Sequence, residues 1–525
     1  MVLHENRFNL IDEDWIPVSG IGFVSLDRIF TDRELKQLGG NSIQKLAITR
    51  LLLAIAQTAY TPKDDDEWAK LGADGMAEKC RQYLASHYEC FWLYGERPFL
   101  QMPQIEKIIS SRIGEQCQTA KDEKAKTKIT EEYAPSTLGP GFYPDLPSEN
   151  NTILGHYQID WGLSDAEKAL FILILMDFAL SGKRVMKGVP PFSADYNGKS
   201  VSAKPGPGFG NYCGFLHTYA ASSDIVLSVW INLLTTKDIS ANKRWTSGLG
   251  TPPWENMPSG EDCSVARMLK SSYLGCLIAV SRFVLLVPNG MYYIEGIQYP
   301  SHKQGWREPS MSVDESNEKF LWVDTEKRPW RDLTAMLAFM KAEQGNHFDC
   351  QQIRLCIPRL KGNLTSISIW SGGLRARTNA GDQSVKQDDD FVESSVTIPL
   401  VDSSQWLSNL EIEMIALEEL EKKAVYGRAM GYFKTQKMDG TPIAAKACSI
   451  YWQKCERRFQ DLVDACSDES GNTARSMRPV FAGIASYVYD TFCPRETARQ
   501  IDAWALNKPN MGWYLKEVHS ENYIS

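Results

Sequence analysis

The sequence predicts an α+β protein, with a large irregular mixed α/β domain over residues 1–395 and a four-helix bundle over residues 396–525. Three observations predict it. The chain has 525 residues, 43% hydrophobic and 23% charged, the composition of an ordinary globular protein with ample core. Up to about residue 395, short apolar runs alternate with Gly- and Pro-rich stretches, and two long helical patterns stand out. Beyond it, four amphipathic stretches follow one another with short joints.

Taken in order, residues 8–30 mix apolar runs with turn residues (Phe8-Asn9-Leu10-Ile11, then Trp15-Ile16-Pro17-Val18) and predict short strands. From Ser42 to Tyr60 the period becomes helical. Ile43, Leu46, Leu51, Leu52 and Ile55 share one face, and Asn41 or Ser42 supplies the cap. Pro62 ends this helix. Asp64-Asp65-Asp66 then suits the start of the next one, where carboxylates complement the helix dipole, although three adjacent carboxylates also suit a metal ion. Residues 115–150 are polar and then Pro/Gly-rich without sustained periodicity, which predicts a long mobile loop. Ser164 and Glu167 form a capping box for a helix reaching Leu180 and stopping at Gly182. It is apolar all round and therefore buried. Residues 188–214 hold too much Gly and Pro for a regular element.

Ile225 to Leu234 resumes an apolar element, and Phe283–Val287 with Tyr292–Ile297 predicts a strand pair around Pro288-Asn289-Gly290. Ile367 to Trp370 predicts a strand, followed by a turn at Gly372-Gly373. In the last part, Leu407, Leu410, Met414, Leu417, Leu420 and Ala424 form one helical stripe. Thr441-Pro442 reads as N-cap and first helical residue of a second helix, with Ile443, Ala447, Ile450, Phe459, Leu462 and Cys466 inward. A third helix spans Thr473 to Phe492, and a fourth follows Pro494 and is interrupted at Pro509.

Lysine and arginine number 57 against 65 acidic residues, a net charge of −8. This argues against a free-standing nucleic-acid coat but leaves room for local basic loops. The twelve cysteines contain no C-x-x-C pair, as expected of reduced, mostly buried thiols rather than a zinc site. No P-loop, zincin or nucleophile-elbow motif occurs. No signal peptide is visible, and the longest apolar stretch, Ala169 to Leu180, is shorter than the about 20 residues a membrane helix needs. The expectation is a soluble, cytoplasmic protein without membrane contact, cofactor, metal or catalytic residues.

Several segments together carry a resemblance. FNLIDEDWIPV, LLLAIAQTAYTPKDDDEW and ERPFLQ resemble the large subunit of the type I-E CRISPR Cascade complex, the CasA family. The order of regions is similar throughout, and the motifs are specific in the first hundred residues and around Gly372-Gly373. The resemblance implies a non-enzymatic subunit that inspects double-stranded DNA for a protospacer-adjacent motif (PAM). It also implies that the subunit helps open the duplex for guide RNA pairing, joins the CRISPR RNA-containing Cascade subunits and docks the helicase-nuclease. The family's glycine loop falls here at Asn197, Gly198 and Lys199. Its wedge follows Gly372-Gly373, within Leu374 to Asn379, giving Arg375, Arg377, Thr378 and Asn379. A further loop at the PAM end falls at Leu154, Gly155 and His156. Thr378 replaces the wedge glutamine of some members. The lysine finger has no lysine in register; the equivalent stretch lies near Ile297 to Tyr299, with Lys303 close by, so no PAM sequence is implied.

The chemistry suits these roles. The minor groove is about 6 Å wide, and a backbone without Cβ approaches it closely. Arginines at alternate positions suit the phosphates of two separating strands. Opening one base-pair step costs about 1.4 kcal/mol of stacking, which a few charge-assisted contacts of about 1.5–3 kcal/mol offset. Ordinary alternatives stand beside each reading: Asn197-Gly198 as a plain turn, the arginines as a solvated hairpin tip, and the bundle's basic residues as solvated helix faces. Two other functions also fit: a metal-dependent nuclease using Asp64, Asp65 and Asp66 or Asp388, Asp389 and Asp390, and a structural scaffold that binds only sister subunits.

Overall fold

The computed structural model describes residues 5–136, 138, 163–178, 214–261, 263–288, 290–297, 299–300, 302, 305–337, 348–375, 377–379, 382–384, 391–400 and 405–519. The N-terminal strands are short, as expected: β1 (Arg7–Asn9), β2 (Ile16–Val18) and β3 (Gly22–Val24). β2 and β3 form a hairpin over the fully buried Trp15, whose indole N–H donates to the Leu10 carbonyl at 3.0 Å. α1 (Leu26–Thr31) is capped by Ser25. α2 (Ser42–Ala59) starts with a capping box between Asn41 and Gln44. Its expected apolar face is buried, but so are Ala47, Ile48, Leu53 and Ala54 on other sides, because α2 is the central helix and is packed on nearly all sides.

Asp64 caps α3 (Asp65–Ser86) by accepting from the Glu67 N–H, and α3 bends at Gly72, whose φ of +62° is left-handed. β4 (Trp92–Tyr94) pairs with β1. The loop expected from residue 115 is corrected in its first part. α4 (Gln104–Gln118) and α5 (Glu123–Glu132) are helices. Their apolar stripe is thin, Ile105 and Ile109 with partly buried Ile113 and Ile129, and an Asp122 cap and a Lys126–Glu123 pair support the rest. A polar composition hid that period.

The capping box at α6 (Asp165–Phe178) is present, with the Ser164 N–H and hydroxyl both donating to Glu167, and Ala169 to Phe178 are buried throughout. β5 (His217–Ala221), α7 (Ile225–Ile231), α8 (Thr236–Ala241), α9 (Ser264–Leu269) and α10 (Tyr273–Leu277) follow. β6 (Arg282–Val287) and β7 (Gly290–Glu295) form the expected hairpin, in register from Arg282 opposite Glu295 to Val287 opposite Gly290. Then come β8 (Ser312–Asp314), β9 (Lys319–Phe320), α11 (Leu333–Met336), β10 (Asp349–Cys350) and α12 (Gln351–Leu360). β11 (Ser366–Leu374), β12 (Arg377–Asn379), β13 (Asp382–Ser384) and β14 (Phe391–Pro399) complete this part. An antiparallel sheet of order β14-β11-β5 lies against α2, tied by the Ser42 hydroxyl donating to the Gly373 carbonyl at 2.8 Å and by Lys45 paired with Glu393.

The C-terminal part has four helical legs. α13 (Gln405–Leu420) passes through a π-turn at Glu421–Tyr426 into α14 (Gly427–Thr435). α15 (Thr441–Glu456) and α16 (Phe459–Ala465) form the second leg, α17 (Asn472–Arg475) and α18 (Arg478–Phe492) the third, and α19 (Ala498–Asn507) and α20 (Gly512–His519) the fourth. The first stripe is buried as expected. In the second leg Ile443 is exposed, and Gly440 rather than Thr441 holds the cap position, since Asp439 accepts from Thr441 and the helix starts at Thr441 itself, one residue earlier. Inside the bundle Arg478 donates twice to Glu413, both at 2.9 Å and both buried. The bundle shares its core with the α/β part, for Trp330 packs on Phe459 at 4.3 Å. The expected division after residue 395 falls inside β14, which runs to Pro399.

Candidate nucleic-acid interface

The hairpin β11–β14 presents the residues expected to form a wedge. Gly372 and Gly373 are not a turn. They lie in the strand ladder opposite Glu393 and Val392. They are glycines because the packing there admits no Cβ. One on Gly372 would stand 2.7 Å from the Trp370 ring, and one on Gly373 2.8 Å from the Phe215 carbonyl oxygen and 2.6 Å from Val323. Leu374, opposite Phe391, is the last ladder pair and is fully buried.

Arg375 is the first exposed residue beyond it. Its guanidinium donates to the Thr325 hydroxyl at 3.3 Å, which fixes the arginine against the 322–327 segment. β12 and β13 then pair antiparallel, with Arg377 opposite Ser384, Thr378 opposite Gln383 and Asn379 opposite Asp382. Of the residues expected to form the wedge, Arg375 precedes this ribbon, and Arg377, Thr378 and Asn379 are its first strand. In the sequence, Arg375, Arg377 and Lys386 precede Asp388, Asp389 and Asp390.

Asn197, Gly198 and Lys199 lie outside the described residues, as do Leu154, Gly155 and His156. Ile297 and Tyr299, in the stretch equivalent to the lysine finger, are buried. The residues flanking 179–213 are described, and they meet over a buried charge cluster. The Phe178 ring packs edge-on to His217 at 5.9 Å and lies over the Arg50 guanidinium at 4.9 Å. Arg50 contacts Glu308 and approaches Asp177 at 4.0 Å, and His217 Nδ1 is 3.0 Å from the Ser310 hydroxyl. Burial pushes Asp177 up to about 7 against the pull of Arg50. Burial and then Arg50 lower His217 well below its usual value.

Of the two aspartate runs weighed as a metal site, Asp64 is spent on its cap and Asp65 on a contact with Arg359, while Asp388, Asp389 and Asp390 lie outside the described residues. Among the described residues, no group of three or more His, Cys, Asp or Glu is placed to hold a metal ion, and no helix is long and apolar enough to cross a membrane. Neither the Thr325 anchor nor Trp322, three residues before it, carried a sequence signal. Only proximity in the fold brings Thr325 to Arg375.

The model of the family described as CRISPR-associated protein Cse1 matches residues 9–485. The chain belongs to the Cse1 family. Among solved structures it is similar to Thermobifida fusca Cse1, with 18% identity and a TM-score of 0.68, covering 98% of this chain and 96% of that one. It is also similar to CasA of Thermus thermophilus, with 17% identity and a TM-score of 0.66, covering 97% and 100%. A third similar chain belongs to a structure described as a CRISPR RNA-guided surveillance complex, at 15% identity and a TM-score of 0.62, covering 98% and 99%. No curated protein matches. The Cse1 fold thus spans both the irregular α/β part and the helical legs of this chain, as the sequence predicts.

Proposed function

We propose that this Cse1-family chain is the DNA-recognition subunit of an RNA-guided surveillance complex. It recognises a PAM in double-stranded DNA, helps open the duplex beside it and docks the helicase-nuclease through its helical legs. The supporting observation is that the exposed Arg375 and then the β12–β13 ribbon follow Leu374, on a sheet that glycine packing clamps to the central helix. A rigid base lets such a tip press on a duplex instead of yielding to it. Arg375 and Arg377 are assigned to phosphates of the separating strands, with Thr378 and Asn379 at the separation point. Asn197, Gly198 and Lys199 are assigned to the minor groove, and Leu154, Gly155 and His156 to the PAM end. The division of labour places these roles in residues 1–395 and partner docking in residues 396–525. The chain acts without cofactor or chemistry of its own, and the complex works in the cytoplasm.

The test is reconstitution with the remaining Cascade subunits and guide RNA. Target opening should require this chain, and should weaken when Arg375 and Arg377 are both replaced by alanine. Opening that proceeds equally well without the chain would overturn the proposal. Opening indifferent to the two arginines would favour a scaffold. Cleavage of duplex by the purified chain with magnesium, abolished by Asp388→Ala, would favour a nuclease.

A further inference from the structure

We infer that Trp322 is a stacking platform for an unpaired nucleobase at the fork. The inference rests on the duplex-opening role proposed above and extends it to a residue outside the ribbon. Trp322 lies in the segment that runs beside the end of β11. Its neighbour Val323 packs against Gly373 and donates its N–H to the Gly214 carbonyl, and Thr325, three residues on from the indole, holds Arg375. Leu321 and Val323 turn inward, onto the cluster of Leu216, Met336 and Val392. Alternation therefore turns Trp322 outward, and it is 47% exposed.

It is nevertheless held still. Phe215, fully buried, stacks on it at 4.2 Å with 26° between the rings, and His302 and Phe320 meet it edge-on at 5.6 and 6.2 Å. Space for the indole depends on Gly214, where a Cβ would stand 3.2 Å from it. A rigid, half-exposed indole on a buried aromatic stack loses little entropy on taking a partner, and base stacking on such a face tolerates any base.

A comparison within the molecule separates Trp322 from an ordinary exposed aromatic. In the helical legs, Trp513 has Lys423 over its ring at 4.5 Å, Tyr487 has Lys454 at 4.3 Å, and Trp504 has Arg495 at 4.7 Å and Lys508 at 5.1 Å. Among the described residues, no cation lies over Trp322. Its place decides the occupant. Arg375, anchored through Thr325, suits the phosphate of the nucleotide whose base reaches the indole. A base becomes available to an exposed ring only once it has left the duplex stack, which happens at the ribbon tip. The ligand class is therefore single-stranded DNA at the fork, not intact duplex.

The test uses the reconstituted complex and a forked target with 2-aminopurine at the first unpaired position. The wild-type chain should quench the probe. Trp322→Ala should abolish quenching and weaken binding of the fork by about 5- to 150-fold, the range that one base–aromatic stack supplies, with binding of the fully paired duplex unchanged. Trp322→Phe should restore most of both. Quenching that survives Trp322→Ala, or an equal loss on fork and duplex, would overturn the inference. So would a loss of subunit assembly with quenching intact, since that would make the indole a protein contact. If the wild-type complex binds neither target, the DNA-recognition reading itself fails and the inference falls with it.

Discussion

Replacing Asp177 by asparagine probes the buried charge cluster at the centre of the fold. Arg50 has two carboxylates beside it, Glu308 in contact and Asp177 at 4.0 Å, and none of the three side chains is more than 3% exposed. One guanidinium cannot neutralise two carboxylates, and His217 adds no charge because burial and Arg50 keep it neutral. Burial raises Asp177 from 3.8 to about 7, against the opposing pull of Arg50 and of the Ala279 N–H. Between those values the native state binds more protons than the unfolded chain. The stability that the protonated carboxyl contributes is fully present below the unfolded value and is lost as pH rises through about 7. At about 1.4 kcal/mol per pH unit the whole window is worth roughly 4 kcal/mol, of which about 2–3 kcal/mol falls between about pH 5 and pH 8. Asparagine has no such dependence. Wild type and Asp177→Asn compared by urea unfolding at a series of pH values cancel every other titrating group. The stability of wild type relative to the variant should fall by that amount across this range. A flat difference, or one that rises with pH, would refute the claim that burial holds Asp177 protonated.

Three further outcomes are expected. Gly373→Ala places a Cβ 2.8 Å from the Phe215 carbonyl oxygen, a backbone atom that yields poorly, and should lower stability by about 1–3 kcal/mol; an unchanged urea midpoint would show that the sheet and the 214–216 segment are not clamped there. Glu413→Ala removes the carboxylate that balances the buried Arg478 charge and should cost about 3–5 kcal/mol, most of it recovered when Arg478→Met is added, as double-mutant unfolding will show. Arg375→Ala with Arg377→Ala should reduce the salt dependence of duplex binding by the isolated chain, by about 0.9 in the slope of log affinity against log salt per lost phosphate contact; an unaltered slope means that neither arginine touches a phosphate.

The parts of the fold that were legible in the sequence are those where one local rule acts without competition. The cap at Asn41, the Ser164 capping box, the all-apolar α6, the β6–β7 hairpin and the first bundle stripe all depend on near neighbours in the chain. The readings that failed did so for nameable reasons. α4 and α5 share a stripe too thin to register as periodic, and α5 is stabilised besides by its Asp122 cap and the Lys126–Glu123 pair. The central burial of α2 is a tertiary fact, since nothing in its own pattern says that a second layer covers the far side.

The Gly372-Gly373 pair shows why a site is harder to read than a fold. In a sequence, two glycines signal freedom, and a turn is the natural expectation. In the structure they signal the reverse: the backbone of β11 is pressed so tightly between Trp370, Phe215 and Val323 that any side chain would collide. The same residues were expected to bend the chain ahead of a wedge, and instead they stiffen the strand that carries it. The tight packing ends at Leu374, and Arg375, the next residue, is exposed and rests on Thr325. Trp322 escaped notice for a related reason. Its proposed role depends on a residue 53 positions later in the chain, Arg375, and on a glycine at 214, where a Cβ would crowd the indole. A tip that must separate two strands needs a stiff base more than a supple one, because force applied through a yielding hinge is spent on the hinge. Tight glycine packing at the root, with Arg375 beyond it and an open aromatic face in the segment beside it, suits the proposed role in a way that residue type alone does not disclose.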